Sequence, residues 1–512
     1  MKGFLTTLLT LVFAITFCFA DRSKIADDLL EATQGKMSAT HTVIVQTYEP
    51  PSDEHLERVD YAGSLRDTFE VINGYVAELT ADEIEALSED PDVMRISPDR
   101  PVQSFMDVAT VTVGADYARK TLGLTGKGVG VAVIDSGVAT AWHPDLKYGL
   151  STRVIYEQSF VPNQVSKVGD GYGHGTNVAG IIGGNGFNSL TGTKTFRGIA
   201  TRVNIINLRA LDDTGAGTAS SVINAIQAAI NLKSTYNIRV INLSLGHPVT
   251  ESYKTDPLCQ AVEQAWKAGI VVVVAAGNDG RNNSANNNGY GTITSPGNDP
   301  YVITVGAMKT YRTPDRSDDQ IATYSSKGPT LYDQLVKPDI VAPGNRTISL
   351  RMYNSYLDAT YPANQVLTSF YLSDGTNQPG PYYTLSGTSM AAAVVSGAVA
   401  LMLEKDPTLN PDTVKLRLMK TATKNFIYNY DIYTRGAGYL YIPGALADTG
   451  VATSSQSPNV YRNADGTVTL NVYDTWGTSV VWGTSVVWGT SVVWGTSVVW
   501  GTSVVWGTGT LY

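Results

Sequence analysis

Four polar residues at the ends of apolar or small-residue runs carry groups suited to acyl-transfer chemistry: Asp135, His174, Asn278 and Ser389. Ser389 stands in Gly387-Thr388-Ser389-Met390-Ala391-Ala392-Ala393-Val394-Val395-Ser396-Gly397, a glycine-flanked turn leading into small apolar residues through Leu403. That composition, without proline, predicts a buried helix beginning near Ser389. The first amides of a helix lack internal partners and carry the positive end of its dipole. A hydroxyl there lies beside donors for a developing negative oxygen, and beside a base it becomes a nucleophile. Taken alone, such a serine equally serves as a helix cap.

Asp135 closes Val131-Ala132-Val133-Ile134-Asp135-Ser136-Gly137. A carboxylate at the tip of an apolar strand is costly unless a cation or a donor meets it, although capping the next turn is an alternative. Of five histidines, His41 and His55 fall in the leading segment, which leaves His143, His174 and His247 as bases. His143, in Trp142-His143-Pro144-Asp145, reads as a turn residue, and His247 precedes Pro248 in a loop. His174, in Gly171-Tyr172-Gly173-His174-Gly175-Thr176, is framed by glycines at a helix start, which would let a substrate backbone approach closely. Asn278 follows Val271 to Gly277 and either forms a turn or offers its amide to an oxyanion.

The elements that must position these groups alternate. Apolar runs at Val129–Ile134, Val203–Leu208, Val240–Leu243 and Ile270–Ala276 predict buried strands. Thr176–Ile182, Ala219–Lys233 and Pro257–Ala268 predict helices between them, hence an α/β unit with a mostly parallel sheet between helix layers. Ligands of such sheets gather beyond the carboxyl ends of the strands, where Asp135 and Asn278 fall.

The Asp-Ser-Gly, Gly-His-Gly-Thr and Gly-Thr-Ser-Met-Ala segments, in that order, resemble those of the subtilisin-like serine proteases (subtilases), from about Ala109 to Ala447. Asn73-Gly74-Tyr75-Val76-Ala77-Glu78-Leu79-Thr80, Asp90-Pro91-Asp92-Val93 and Pro98-Asp99 resemble the inhibitory prodomain of that family. The resemblance implies a secreted serine endopeptidase made as an autoprocessed zymogen. Ser389 would attack the peptide carbonyl, His174 would shuttle the proton, Asp135 would orient the imidazole, and Asn278 with the Ser389 amide would receive the oxyanion. It further assigns Ser244, Leu245 and Gly246 to a strand that pairs with substrate, and Ala275, Ala276 and Gly277 to a pocket wall. Small uncharged walls predict broad specificity leaning to apolar or aromatic side chains. No catalytic cofactor is implied. Structural calcium is left open, since the loop Gly183 to Arg197 offers no assignable ligand set. Departures from the family pattern are Ala393 in place of its usual proline and Asn177 in place of a frequent histidine; both predict altered packing. Tyr353 to Tyr383 reads as an insertion, either a substrate rim or an inert loop.

Charge and composition divide the chain into domains. Residues 1–20 hold one lysine and an apolar run ending Cys18-Phe19-Ala20, the pattern of a cleaved export signal rather than a stable membrane anchor. Residues 21–105 hold 19 Asp+Glu against 7 Lys+Arg, whereas residues 106–512 are near neutral with 29 Lys+Arg against 27 Asp+Glu. An inhibitory propeptide (21–105, α+β) and a catalytic domain (106–450) follow, the first acting as an intramolecular inhibitor and the second on protein or peptide substrates. Lys+Arg total 37 against 46 Asp+Glu, without the basic clusters that nucleic acid requires. One cysteine, Cys259, remains after processing, so no intrachain disulfide forms. Residues 451–474 read as a polar spacer, and Trp-Gly-Thr-Ser-Val-Val then repeats five times from Trp476 with a truncated copy at Trp506. The even period puts Trp, Thr and one Val on one face of an extended strand, which suits cell-surface adhesion or a disposable extension. A catalytically silent binding or adhesion protein that uses this tail is the alternative to a protease.

Overall fold

In a computed structural model the chain is described at residues 21–33, 39–60, 64–69, 72–98, 108–139, 143–373, 375–424, 426–462, 467–471, 492–493 and 504–505. The leader, the stretch 99–107 and most of the repeat tail lie outside these residues. The chain divides into two compact units, Met1–Gln103 and Ser104–Tyr512.

The first unit is α+β. Strands β1 (Thr40–Thr47), β2 (Leu65–Phe69), β3 (Gly74–Thr80) and β4 (Val93–Pro98) form an antiparallel sheet in the order β2-β3-β1-β4. Val43 and Val45 alternate with polar neighbours on β1 and bury their side chains against Tyr75, Ala77, Ile84 and Ile96. Helix α1 spans Asp27–Thr33, α2 Asp53–Asp60 and α3 Ala81–Ser88. Thr80 and Glu83 form the capping box read from sequence: the Glu83 amide donates to Thr80 Oγ1, and the Thr80 amide donates to the Glu83 carboxylate at 2.7 Å.

The second unit is built on an eight-stranded sheet. Its strands are β5 (Gly130–Asp135), β6 (Val154–Ser159), β7 (Asn204–Arg209), β8 (Ile238–Leu243), β9 (Val271–Ala275), β10 (Ile303–Lys309), β11 (Gln320–Ile321) and β12 (Ile340–Pro343). They run β11-β10-β9-β8-β5-β7-β6, with β12 also paired to β10. All pairings are parallel except β10 with β11. Every residue of β5 and β9 is buried, which explains their unbroken apolar runs. Strands β6 and β10 to β12 went unread. On β6 only Val154 and Ser159 are buried, and Gly306 interrupts the pattern of β10.

Helices α4 (His174–Gly183), α5 (Ala219–Tyr236) and α6 (Pro257–Lys267) connect the strands. Thr218 and Asp256 cap α5 and α6 through their side chains, and Pro257 takes the first turn of α6, where its missing amide is harmless. The stretch 347–385, which contains the insertion, folds into β13 (Thr347–Leu350), α7 (Tyr356–Thr360), β14 (Gln365–Leu367) and β15 (Pro379–Leu385). Its strands form an antiparallel sheet in the order β13-β15-β14. Helix α8 (Thr388–Lys405) is buried at every position from Thr388 to Leu403. It alone among the described residues is long and apolar enough to cross a membrane, yet 89% of that window is buried as the core of this unit.

The stretch from Val451 does not begin as a free spacer. Ala452, Ser455, Ser457 and Val460 are buried on this unit, where the Ser457 amide donates to Pro300 O at 2.8 Å. In the repeats, Val492–Val493 pairs in parallel with Val504–Val505, an offset of 504 − 492 = 12 residues, or two periods.

Candidate active site

Asp135 closes the central strand β5 and is fully buried. Its burial is tolerable because donors surround it: the Ser136 amide donates to Oδ1 at 2.7 Å, and His174 Nδ1 lies 2.8 Å from Oδ1 and 3.0 Å from Oδ2. His174 opens α4, behind Gly173 with φ of 100°. The glycine frame serves packing rather than substrate approach. A Cβ on Gly175 would strike Gly137 O and lie 3.0 Å from Asp135 Cβ, and one on Gly173 would strike the Ser355 side chain. Burial lowers the basicity of the His174 imidazole, but the charge of Asp135, its hydrogen bond and the charge of Asp170 outweigh this and raise its pKa above the ordinary 6.5.

Three supporting residues escaped the sequence reading. Asp170 is 1% exposed; it accepts from Ser136 Oγ at 2.8 Å, the Gly173 amide at 2.6 Å and the Thr176 amide at 2.8 Å. It thereby fixes the loop after Asp135 to the start of α4. Arg209, fully buried at the end of β7, donates from Nε to Ser136 O at 3.1 Å. A charged residue ending an apolar strand was the available signal for Arg209. Asp170 and Ser136 sit in loops with no pattern that sets them apart.

Ser389 is the second residue of α8, and Gly387 before it is extended. Its Oγ donates to Ser244 O at 3.2 Å, while Ser244 Oγ donates to Ser389 O at 2.9 Å. Asn278, three residues beyond β9, accepts on Oδ1 from the Thr388 amide at 2.9 Å. That contact orients the amide group, and among the described residues no protein acceptor takes its Nδ2 hydrogens.

His174, Ser389, Asn278, Ser244, Leu245 and Gly246 all line one cleft of about 720 Å³. Among the described residues no Asp, Glu, Lys or Arg lines it. Ala275 ends β9, and Ala276 and Gly277 lead from it to Asn278. Ala276 is fully buried, its amide donates to Val305 O and its carbonyl accepts from Thr294, while Gly277 O accepts from the Ser326 amide. His143 Nε2 lies 3.4 Å from Pro381 O; His247 lines the same cleft as His174, but its Nδ1 contacts Pro248 O rather than a carboxylate.

Calcium does not fit the loop Gly183 to Arg197. The loop contains no Asp or Glu. The carboxylate it meets, Asp145, accepts from the Asn188 amide and side chain on Oδ1 at 2.9 and 2.8 Å, and from the Tyr382 hydroxyl on Oδ2 at 2.8 Å. Hydrogen-bond donors therefore stand where a cation would need open lone pairs. The insertion reaches the cleft through Leu357, and Leu385, just after it, lines the cleft as well.

Comparison with known proteins agrees with this geometry. The Subtilase family pattern matches residues 126–439, and that of Peptidase inhibitor I9 matches residues 27–104. Serine protease AprX of Bacillus subtilis (strain 168) is 37% identical over 380 residues, covering 73% of this chain and 79% of the relative. Subtilisin E of the same organism is 32% identical over 437 residues, covering 84% and 96%. An alkaline protease of Alkalihalobacillus alcalophilus is 31% identical over 360 residues, covering 69% and 75%. The chain belongs to the subtilase family and is a serine endopeptidase preceded by an I9 propeptide unit.

Proposed function

We propose that the chain is exported as a zymogen, releases residues 21–105 by its own activity, and hydrolyses protein substrates through Asp135, His174 and Ser389. The observation that carries this reading is the His174–Asp135 contact of 2.8 Å in a cleft that Ser389 and Asn278 also line. A substrate laid along Ser244–Gly246 as an added strand would offer a backbone N–H to Ser244 O, displacing the Ser389 hydroxyl from that acceptor. The freed hydroxyl turns to His174 Nε2, which takes its proton as the Oγ–carbon bond forms. The proton then passes to the leaving amine as the carbon–nitrogen bond breaks, and water repeats the sequence to release the acid. Asp135 holds the imidazole and stabilises its charged form, and the Asn278 Nδ2 hydrogens receive the oxyanion. A cleft lined by Leu211, Leu245, Leu258 and Met390, with no Asp, Glu, Lys or Arg among the described residues, supports broad cleavage after apolar or aromatic side chains. Retention at the cell surface through the repeat tail belongs to the same proposal.

Expression of the full precursor beside Ser389→Ala tests it. The unaltered chain yields a shortened product that degrades casein, and the variant stays full length. A purified Ser389→Ala protein that shortens itself at the same rate would overturn self-processing.

A further inference from the structure

A second cavity, of about 830 Å³, continues from the cleft: Leu357, Leu385 and Ser386 line both. The cleft runs from Gly215–Ala219 and Ser244–Gly246, past His174 and Ser389, to these three residues. A substrate whose acyl half pairs with Ser244–Gly246 therefore sends the half beyond the scissile bond into the second cavity.

That cavity is walled largely by 361–370 of the insertion and carries two arginines, Arg312 and Arg346. Neither guanidinium has a hydrogen-bond or ion-pair partner among the described residues, and no Asp or Glu lines the cavity. Asp358 of the insertion is already held by Arg351 at 2.6 Å. Both residues of the arginine pair are exposed to solvent, and desolvation followed by the charge of Arg346 lowers the pKa of Arg312. The backbone of both is strained: Arg312 has φ of 65° and Arg346 φ of 53°, a region costly for residues with side chains. The Arg346 amide donates to Ser386 Oγ at 2.8 Å, tying this turn to the segment three residues before Ser389.

We infer that Arg312 and Arg346 form a subsite that selects acidic side chains on the leaving-group half of the substrate, within the first few residues beyond the scissile bond. The inference rests on the proteolytic reading above and adds a charge preference to it. Arginine suits this role because its planar fork pairs with a carboxylate through two parallel hydrogen bonds.

The test uses enzyme matured from the full chain and amidated, internally quenched peptides. These share one acyl half and carry Asp and Glu, Asn and Gln, or Lys and Arg at the four positions after the cut. At low salt kcat/KM is expected to be about three- to tenfold higher for the acidic peptides than for the amide isosteres, a gap that narrows at high salt. The Arg312→Gln, Arg346→Gln double variant brings that ratio toward one, and Arg312→Glu with Arg346→Glu reverses it in favour of lysine. Brisk cleavage with no charge preference by the unaltered enzyme refutes the subsite and leaves proteolysis standing; so does an acidic bias that survives charge reversal. Cleavage of no peptide in the series refutes the hydrolytic reading beneath it, and the subsite with it.

Discussion

His174 holds its proton more tightly than an exposed histidine because Asp135 and Asp170 outweigh the effect of burial. As a general base it works only when neutral, so activity must rise as pH climbs through a folded-state pKa above 6.5. Stability runs the other way. A raised folded pKa means the protonated ring stabilises the fold; that contribution is complete below the unfolded value and is lost as pH rises through the folded one. Asp170 is a positioning residue in this scheme, since it touches the Asp135 loop and the head of α4 rather than substrate. Asp170→Asn replaces the acceptor of the Thr176 amide and removes a negative charge near the ring. The variant should lose about tenfold or more in kcat with little change in KM, as expected for a disturbed charged hydrogen bond of about 2 kcal/mol. Its acid limb in kcat/KM against pH should shift downward. A parent limb centred at or below 6.5, or a variant limb that does not move, contradicts this account of the imidazole.

Helix α4 carries His174 and is held from the side by the sheet of the insertion. Asn177 Nδ2 donates to Leu350 O at 3.2 Å and to Tyr383 O at 3.1 Å, one on β13 and the other on β15. The side chain that departs from the family's frequent histidine is therefore a tie between elements. Asn177→Leu would leave two buried carbonyl oxygens without that donor, at about 2 kcal/mol. Urea unfolding on a Ser389→Ala background, which prevents self-digestion, should show a lower midpoint at unchanged slope. An unchanged midpoint would mean that the carbonyls find other donors and that the tie contributes nothing. Strands β5, β7, β8 and β9 were legible because continuous apolar residues have few other places to go. The insertion was not, because its order draws on distant contacts that no local pattern reveals: Tyr382 donates to Asp145 from 237 positions away. Motif order singled out Asp135, His174, Asn278 and Ser389, and the fold sets His174 against Asp135 in the cleft that Asn278 and Ser389 line. The tethering of Asp170 to Ser136 depends on loop geometry that no local pattern encodes.

The catalytic unit does not end where its last family-like segment does. A buried charge cluster shows why: Lys337 and Lys415 contact the fully buried Asp339 at 2.7 and 3.3 Å. Ser457 completes the cluster, donating to Asp339 at 2.5 Å and accepting from Lys415 at 2.9 Å. Nearby, Ser455 donates to Asp412 at 2.8 Å, and Ala452 O accepts from Asn410 at 3.1 Å. A buried ion pair costs little only while its lone pairs and protons are satisfied, so loss of Ser457 exposes or strands the rest. Two truncations on the Ser389→Ala background separate this docked segment from the repeats. A chain ending at Asn471 keeps the buried residues and should melt with the full-length protein. A chain ending at Gly450 loses them and should melt about 5 °C lower or more, on the order of 3 kcal/mol for a polar cluster left incomplete. Equal melting of both truncations would show that residues 451–460 lie on the surface without supporting it. A matching drop for the chain ending at Asn471 would instead move the stabilising contacts into the repeats.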